Sequence, residues 1–188
     1  MCTSRARRPH GRPVALGTEP RTLGALPVNY HVAHEEEHLS VFITWTRHRL
    51  LQKGYVKPHP EEYRIYLYMI VGHFGSSRRV LYIGKTYRQN ASYRLAQPDH
   101  VRRWKKLRRM YPRHKLTVSF GLAEFDGDRC TSKRIDEVES ILIYANWHDR
   151  LINAKKIYRF AIRGQLRLTN SGYYKPLKRE CFHGTVVH

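Results

Sequence analysis

Two tyrosines, an arginine and a glutamate carry the strongest chemical signal in the sequence. Arg64-Ile65-Tyr66 and Tyr82-Ile83-Gly84 stand sixteen residues apart, and Lys85-Thr86 follows the second. Arg94 comes twelve residues after Tyr82, and Glu139 heads a Glu-x-x-Leu-Ile run with Leu142 and Ile143. Cutting a phosphodiester requires an attacking water to be deprotonated, a charged pentavalent phosphate to be stabilised and a leaving oxygen to be neutralised. A general base, a cation and a divalent metal together meet those needs. Phenols, a guanidinium and a carboxylate are groups of that kind.

In their order along the chain these elements resemble the GIY-YIG nuclease family, over about residues 63 to 155, half the chain. The resemblance implies an α/β (α+β) core: a short antiparallel three-stranded sheet flanked by helices. It also implies a Mg2+ (or Mn2+)-dependent DNA endonuclease that leaves a 5′-phosphate. By the same resemblance Tyr66 is the general base or water-orienting group, with Tyr82 beside it across a hairpin and Lys85 near the phenols. Glu139 holds the metal, Arg94 clamps the scissile phosphate, and His100 matches the family's auxiliary histidine, although Pro98 intervenes. Gly84 and Asn153 are structural neighbours of the site. The family's first Gly is replaced by Arg64, and the loop between the two motif strands is expected to be longer than usual. A chain with no second recognition domain looks most like the small restriction-type endonucleases; mobile-element, defence and repair roles stay open. A symmetric double-strand cut requires a homodimer.

Plainer readings stand beside these. Tyr66 and Tyr82 are also what ordinary strand aromatics look like, and Glu139 could pair on a helix surface with Arg134 or Lys133, with Glu137 as its rival. Asn153 fits a bracing role. The alternative for the whole chain is a non-catalytic DNA- or RNA-binding protein on the same scaffold, against which a metal-ligating glutamate that repels phosphate argues.

Charge supports a polyanionic partner in either case. The chain carries 35 Lys and Arg against 15 Asp and Glu, a formal +20, and thirteen of those cations lie between Arg78 and Lys115 with one acid, Asp99. On a helix there, Arg102, Arg103, Lys105, Lys106, Arg108 and Arg109 cover most of the surface and leave Val101, Trp104, Leu107 and Tyr111 as a buried stripe. They read as a phosphate track.

The elements that must position these residues follow from periodicity. Residues 1–28 read as a flexible basic arm, and residues 29–60 as a helical extension, with apolar residues from Leu39 to Leu51 near helical spacing behind three glutamates. The core spans 61–156: strands at 63–70 and 80–83 separated by a turn over 72–77, a helix from Asn90 to Tyr111 broken near Pro98, a strand over 115–124 and a helix over 132–147. Residues 157–188 form a basic extension in which Thr169 to Tyr174 is turn chemistry.

Several classes are set aside. No apolar run approaches the ~18 residues of a membrane span, and the first residues put charge where a signal peptide needs an apolar stretch. Three scattered cysteines make no disulfide framework, which fits a reducing, cytoplasmic (nucleoid-associated) or otherwise intracellular setting. His31, His34 and His38 lack a fourth zinc ligand, and Gly84-Lys85-Thr86 lacks the glycine spacing of a nucleotide-binding phosphate loop.

Overall fold

Ile65 to Val71 contains seven strand-forming or apolar residues in a row, and such a run is stable as a strand only when both faces are covered. The computed structural model, which describes residues 39–51, 65–87, 89–127, 129–153, 162 and 164–184, places it inside a sheet with a neighbouring strand on each side. The elements are β1 (Leu39–Trp45), β2 (Arg49–Leu50), β3 (Ile65–Phe74), β4 (Ser77–Lys85), α1 (Ala91–Ala96), α2 (Pro98–Met110), β5 (Lys115–Phe125), α3 (Ser132–Ala145), β6 (Leu166–Gly172) and β7 (Glu180–His183). The arm at 1–28, the start of the expected helical extension, the three clustered histidines and Arg64 lie outside the described residues.

β3 and β4 form a hairpin closed by Gly75-Ser76, with Phe74 paired to Ser77 and Gly75 at φ 56, where a residue without Cβ is unstrained. The long loop expected over 72–77 is therefore a two-residue turn, and longer strands take up the sixteen residues between Tyr66 and Tyr82. The register slips once, from Ile70 opposite Tyr82 to Val71 opposite Val80, leaving Leu81 as the extra residue of a bulge.

The three-stranded sheet is the main expectation overturned. β4, β3 and β5 are neighbours, but the sheet continues through β1, β6 and β7, with β2 also on β5, and the seven strands curl into half a barrel. β1 runs antiparallel to β5 and parallel to β6, so the sheet is mixed. Where a helix was expected, Val41, Ile43 and Trp45 are buried while Phe42 is 50% exposed: the period is two, and Phe42, Leu50 and Leu51 imitated a helical spacing. Thr169 to Gly172, expected as a turn, is strand. Asn170, a turn former by propensity, is buried there because its Oδ1 accepts from Trp45 Nε1 at 2.8 Å and its Nδ2 donates to Lys178 O at 2.8 Å.

Helices cover the two faces. Asn90 caps α1 through Ser92 N and Tyr93 N, Pro98 opens α2, and Trp104 Nε1 donates to Leu95 O at 3.1 Å across the break. Trp104 and Leu107 bury against Tyr68, Ile70, Val118 and Phe120. On the opposite face, α3 sets Ile135, Val138, Ile141 and Leu142 against Val41, Ile43, Leu67, Met69 and Ile83. Among the described residues, no helix is long and apolar enough to cross a membrane.

Candidate active site

Strand register decides which tyrosines meet. Tyr68 stands opposite Gly84 and Tyr82 opposite Ile70, so the two phenols are diagonal neighbours with ring centroids 5.8 Å apart. Tyr68 fits only because Gly84 has no side chain: a Cβ there would come within 2.4 Å of its Cζ and Oη. Tyr68 is fully buried, packed against Trp104, whereas Tyr82 is half-buried and reaches solvent.

The first turns of α2 close over this pair. Arg103 Nη1 donates to Tyr82 Oη at 2.9 Å and to His100 Nδ1 at 3.2 Å, with its guanidinium carbon 4.7 Å from the Tyr82 ring centre. His100 Nδ1 lies 3.1 Å from Tyr68 Oη. A guanidinium only donates, so Nδ1 is an acceptor and the neutral ring carries its proton on Nε2. Nε2 is buried without a hydrogen bond, although the Asp99 carboxylate lies 3.3 Å away, an electrostatic neighbour off the hydrogen-bond line. Burial, then Arg103 and Arg94, bring His100 down to about 4, so the ring is neutral at pH 7.

The phenols are held protonated. Burial raises Tyr68 well above the ordinary range and raises Tyr82 as well; the Glu139 carboxylate adds to both shifts. Opposing this at Tyr82 are the Arg103 charge, the neighbouring Tyr68 hydroxyl, and Arg94. Tyr82 is thus the phenol whose ionised form the surroundings favour more.

The expected site residues divide. Tyr82, Arg94 and His100 belong to this neighbourhood: Arg94 hydrogen-bonds Gln97 Oε1 and its charge acts on His100 and Tyr82. Glu139, 6% exposed, is on α3, the helix of the opposite face, and reaches the phenols as a charge acting on both. Tyr66 does not face Tyr82. A bulge between Ile65 and Leu67 turns it to the α3 face, where it packs 6.2 Å from Tyr87 and hydrogen-bonds the Cys130 thiol. Lys85 is also on that face, paired with Asp136 at 2.6 Å, so Arg103 is the cation beside the phenols. The ion pair considered for Glu139 belongs to Glu137, 2.9 Å from Arg134. Asn153 braces the edge strand β4, accepting from Ile83 N at 2.9 Å and donating to Ile83 O at 2.6 Å.

The cationic track is narrower than expected. Arg102, Lys105, Lys106, Arg108 and Arg109 are exposed along α2, Arg108 also donating to Leu51 O at 2.7 Å, while Arg103 turns into the site. Sequence reasoning missed Tyr68. The signal for it was the turn pair Gly75-Ser76: counting outward places Tyr82 opposite residue 69 or, with one bulge, 70, adjacent to Tyr68 and remote from Tyr66.

No protein-family profile, no curated protein and no solved structure matches the chain. Among the described residues, no three His, Cys, Asp or Glu side chains cluster as a metal cage. The donor set does fit Mg2+, which is commonly held by one or two carboxylates with waters and substrate phosphates: Glu139 is a buried carboxylate whose charge is felt at both phenols.

Proposed function

We propose that the protein is a GIY-YIG-type DNA endonuclease hydrolysing phosphodiester bonds, in a restriction-type, mobile-element or defence setting inside the cell. What supports the reading is a partly exposed phenol, Tyr82, bound by Arg103 and backed by Tyr68, with the Arg94 and Glu139 charges acting on it. The +20 charge and the exposed cations of α2 supply the attraction for a polyanion.

The Tyr82 oxygen already accepts from Arg103, so the neutral phenol has its own proton to give. It would donate to a phosphoryl oxygen as charge accumulates there. Arg94 and Arg103 offset that charge, and His100 holds Arg103 at the phenol rather than in solvent. Mg2+ or Mn2+ bound by Glu139 and substrate oxygens would supply Lewis acidity at the phosphate and an activated water. Water adds to phosphorus, the bond to the 3′ oxygen breaks, and a 5′-phosphate and a 3′-hydroxyl remain.

The test is nicking of supercoiled plasmid by the purified protein in Mg2+. Glu139→Ala is expected to abolish nicking while filter binding of DNA persists. Cleavage by Glu139→Ala refutes the assignment of Glu139 as the metal-binding carboxylate; wild-type binding with no cleavage in Mg2+ or Mn2+ refutes the enzymatic reading and favours a non-catalytic nucleic-acid-binding protein.

A further inference from the structure

The far end of α2, away from His100, carries a second concentration of chemistry. A cleft of about 480 Å3, within the size range of small-ligand sites, opens between the end of α2, β2 and the start of β5. Its lining combines Leu50, Leu51, Leu116 and Tyr111 with Arg108, Lys115 and His114, and contains no carboxylate. His114 is the centre of an aromatic array: Phe74 stacks on it at 5.3 Å and 25°, and Tyr111 meets it edge-on at 5.2 Å. The seat for that ring is Gly72, where a Cβ would lie 3.2 Å from His114 Cδ2. Phe74 is 51% exposed at the hairpin tip, and His114 Nδ1 is buried with no hydrogen-bond partner.

An exposed aromatic stack and cations without acids match an unpaired nucleotide, whose base stacks on any aromatic face while its phosphate seeks positive charge. We propose that this cleft, with the Phe74 ring that stacks on His114 beside it, binds an unpaired nucleotide of the same polynucleotide that the tyrosine site acts on, with the base on the exposed Phe74 ring and the phosphate at Lys115 and Arg108. The proposal rests on the nucleic-acid part of the functional reading and not on catalysis. The exposed cations of α2 connect the two places: Arg103 and Arg108 are about 8 Å apart along the helix axis and His100 and Tyr111 about 16 Å, the rise of about two to five nucleotides in a duplex strand. The preferred substrate is then a duplex with a single-stranded segment about two to five nucleotides from the cut.

Binding in EDTA, where no cleavage occurs, tests it. Labelled oligothymidine, a blunt duplex and the same duplex with a single-stranded overhang are titrated with full-length protein at fixed salt and followed by anisotropy. Phe74→Ala is expected to weaken the single strand and the overhang about tenfold, within the about five- to hundredfold range of a lost base stack, and to leave the blunt duplex within about twofold. Lys115→Ala should weaken the same two ligands and flatten their salt dependence by about one phosphate. Both residues are exposed, so circular dichroism should match wild type. Equal losses on all three ligands, no loss in Phe74→Ala, or no binding by wild type overturns the proposal. Single-strand binding that depends on Phe74, in a protein that never cleaves, sustains it while refuting the nuclease.

Discussion

Replacing Gly84 by alanine tests whether the tyrosine pair is built as described. The new Cβ would lie 2.4 Å from Tyr68 Cζ and Oη and 2.8 Å from Cε1, against about 3.5–4.0 Å for relaxed carbon contacts, so one partner must retreat by about 1 Å. Neither yields easily. The Tyr68 ring is fully buried among Tyr82, His100 and Trp104, and β4 is held beside it by Asn153 at Ile83. Overpacking costs about 1–3 kcal/mol, and a displaced Tyr68 also loses its contact with His100. The expected destabilisation is about 3 kcal/mol, or about 6–12 °C in Tm for a chain of this size. Urea unfolding followed by tryptophan fluorescence measures it. A cycle with Tyr68→Leu, which removes the ring atoms that clash, isolates the cause: Gly84→Ala should cost at least about 1 kcal/mol less in that background. A cost below about 0.5 kcal/mol in the wild type, or strict additivity in the cycle, would refute the packing of Tyr68 over Gly84.

Three further outcomes follow from the same geometry. His100 titrates near 4 in the native state and near 6.5 unfolded, so the unfolded chain binds the proton first on acidification. At about 1.36 kcal/mol per unit, stability present above about pH 6.5 is lost by about 3 kcal/mol as pH falls towards 4; urea midpoints across that window should slope less in His100→Gln, and His48 and His73, lowered chiefly by burial, steepen the wild-type slope in the same direction. Asn153→Ala strips both partners from Ile83 at the sheet edge and should cost about 1–3 kcal/mol in urea unfolding, and Asn153→Asp, which keeps the acceptor and loses the donor, should not restore it. In plasmid nicking, Tyr82→Phe should lose activity while Tyr66→Phe and Lys85→Ala retain it, because those two side chains engage Cys130 and Asp136 on the other face of the sheet; the reverse pattern would place the chemistry at Tyr66.

Local signals located much of the molecule. The apolar runs of β3, β4 and β5, the Pro98 break between α1 and α2, and the buried stripe of Trp104 and Leu107 are each written within about twenty residues of chain, because they depend on which face a side chain takes at a period of 2 or 3.6. The same is true of the charge, whose excess between Arg78 and Lys115 is a property of composition. Two things were not legible. Leu39 to Trp45 is a strand because β5 and β6 lie on either side of it, and Asn170 is tolerated in β6 because Trp45 and Lys178 satisfy it; no window around either segment contains those partners. The second was the choice between Tyr66 and Tyr68. Both belong to one strand-forming run, and only the pairing register, set by a two-residue turn and two bulges, puts Tyr68 over Gly84 beside Tyr82 and sends Tyr66 to the opposite face. Residue types and their spacing along the chain determined that phenols, guanidiniums and a buried carboxylate were available; which of them meet was decided by strand register, a property of two strands together and of neither alone.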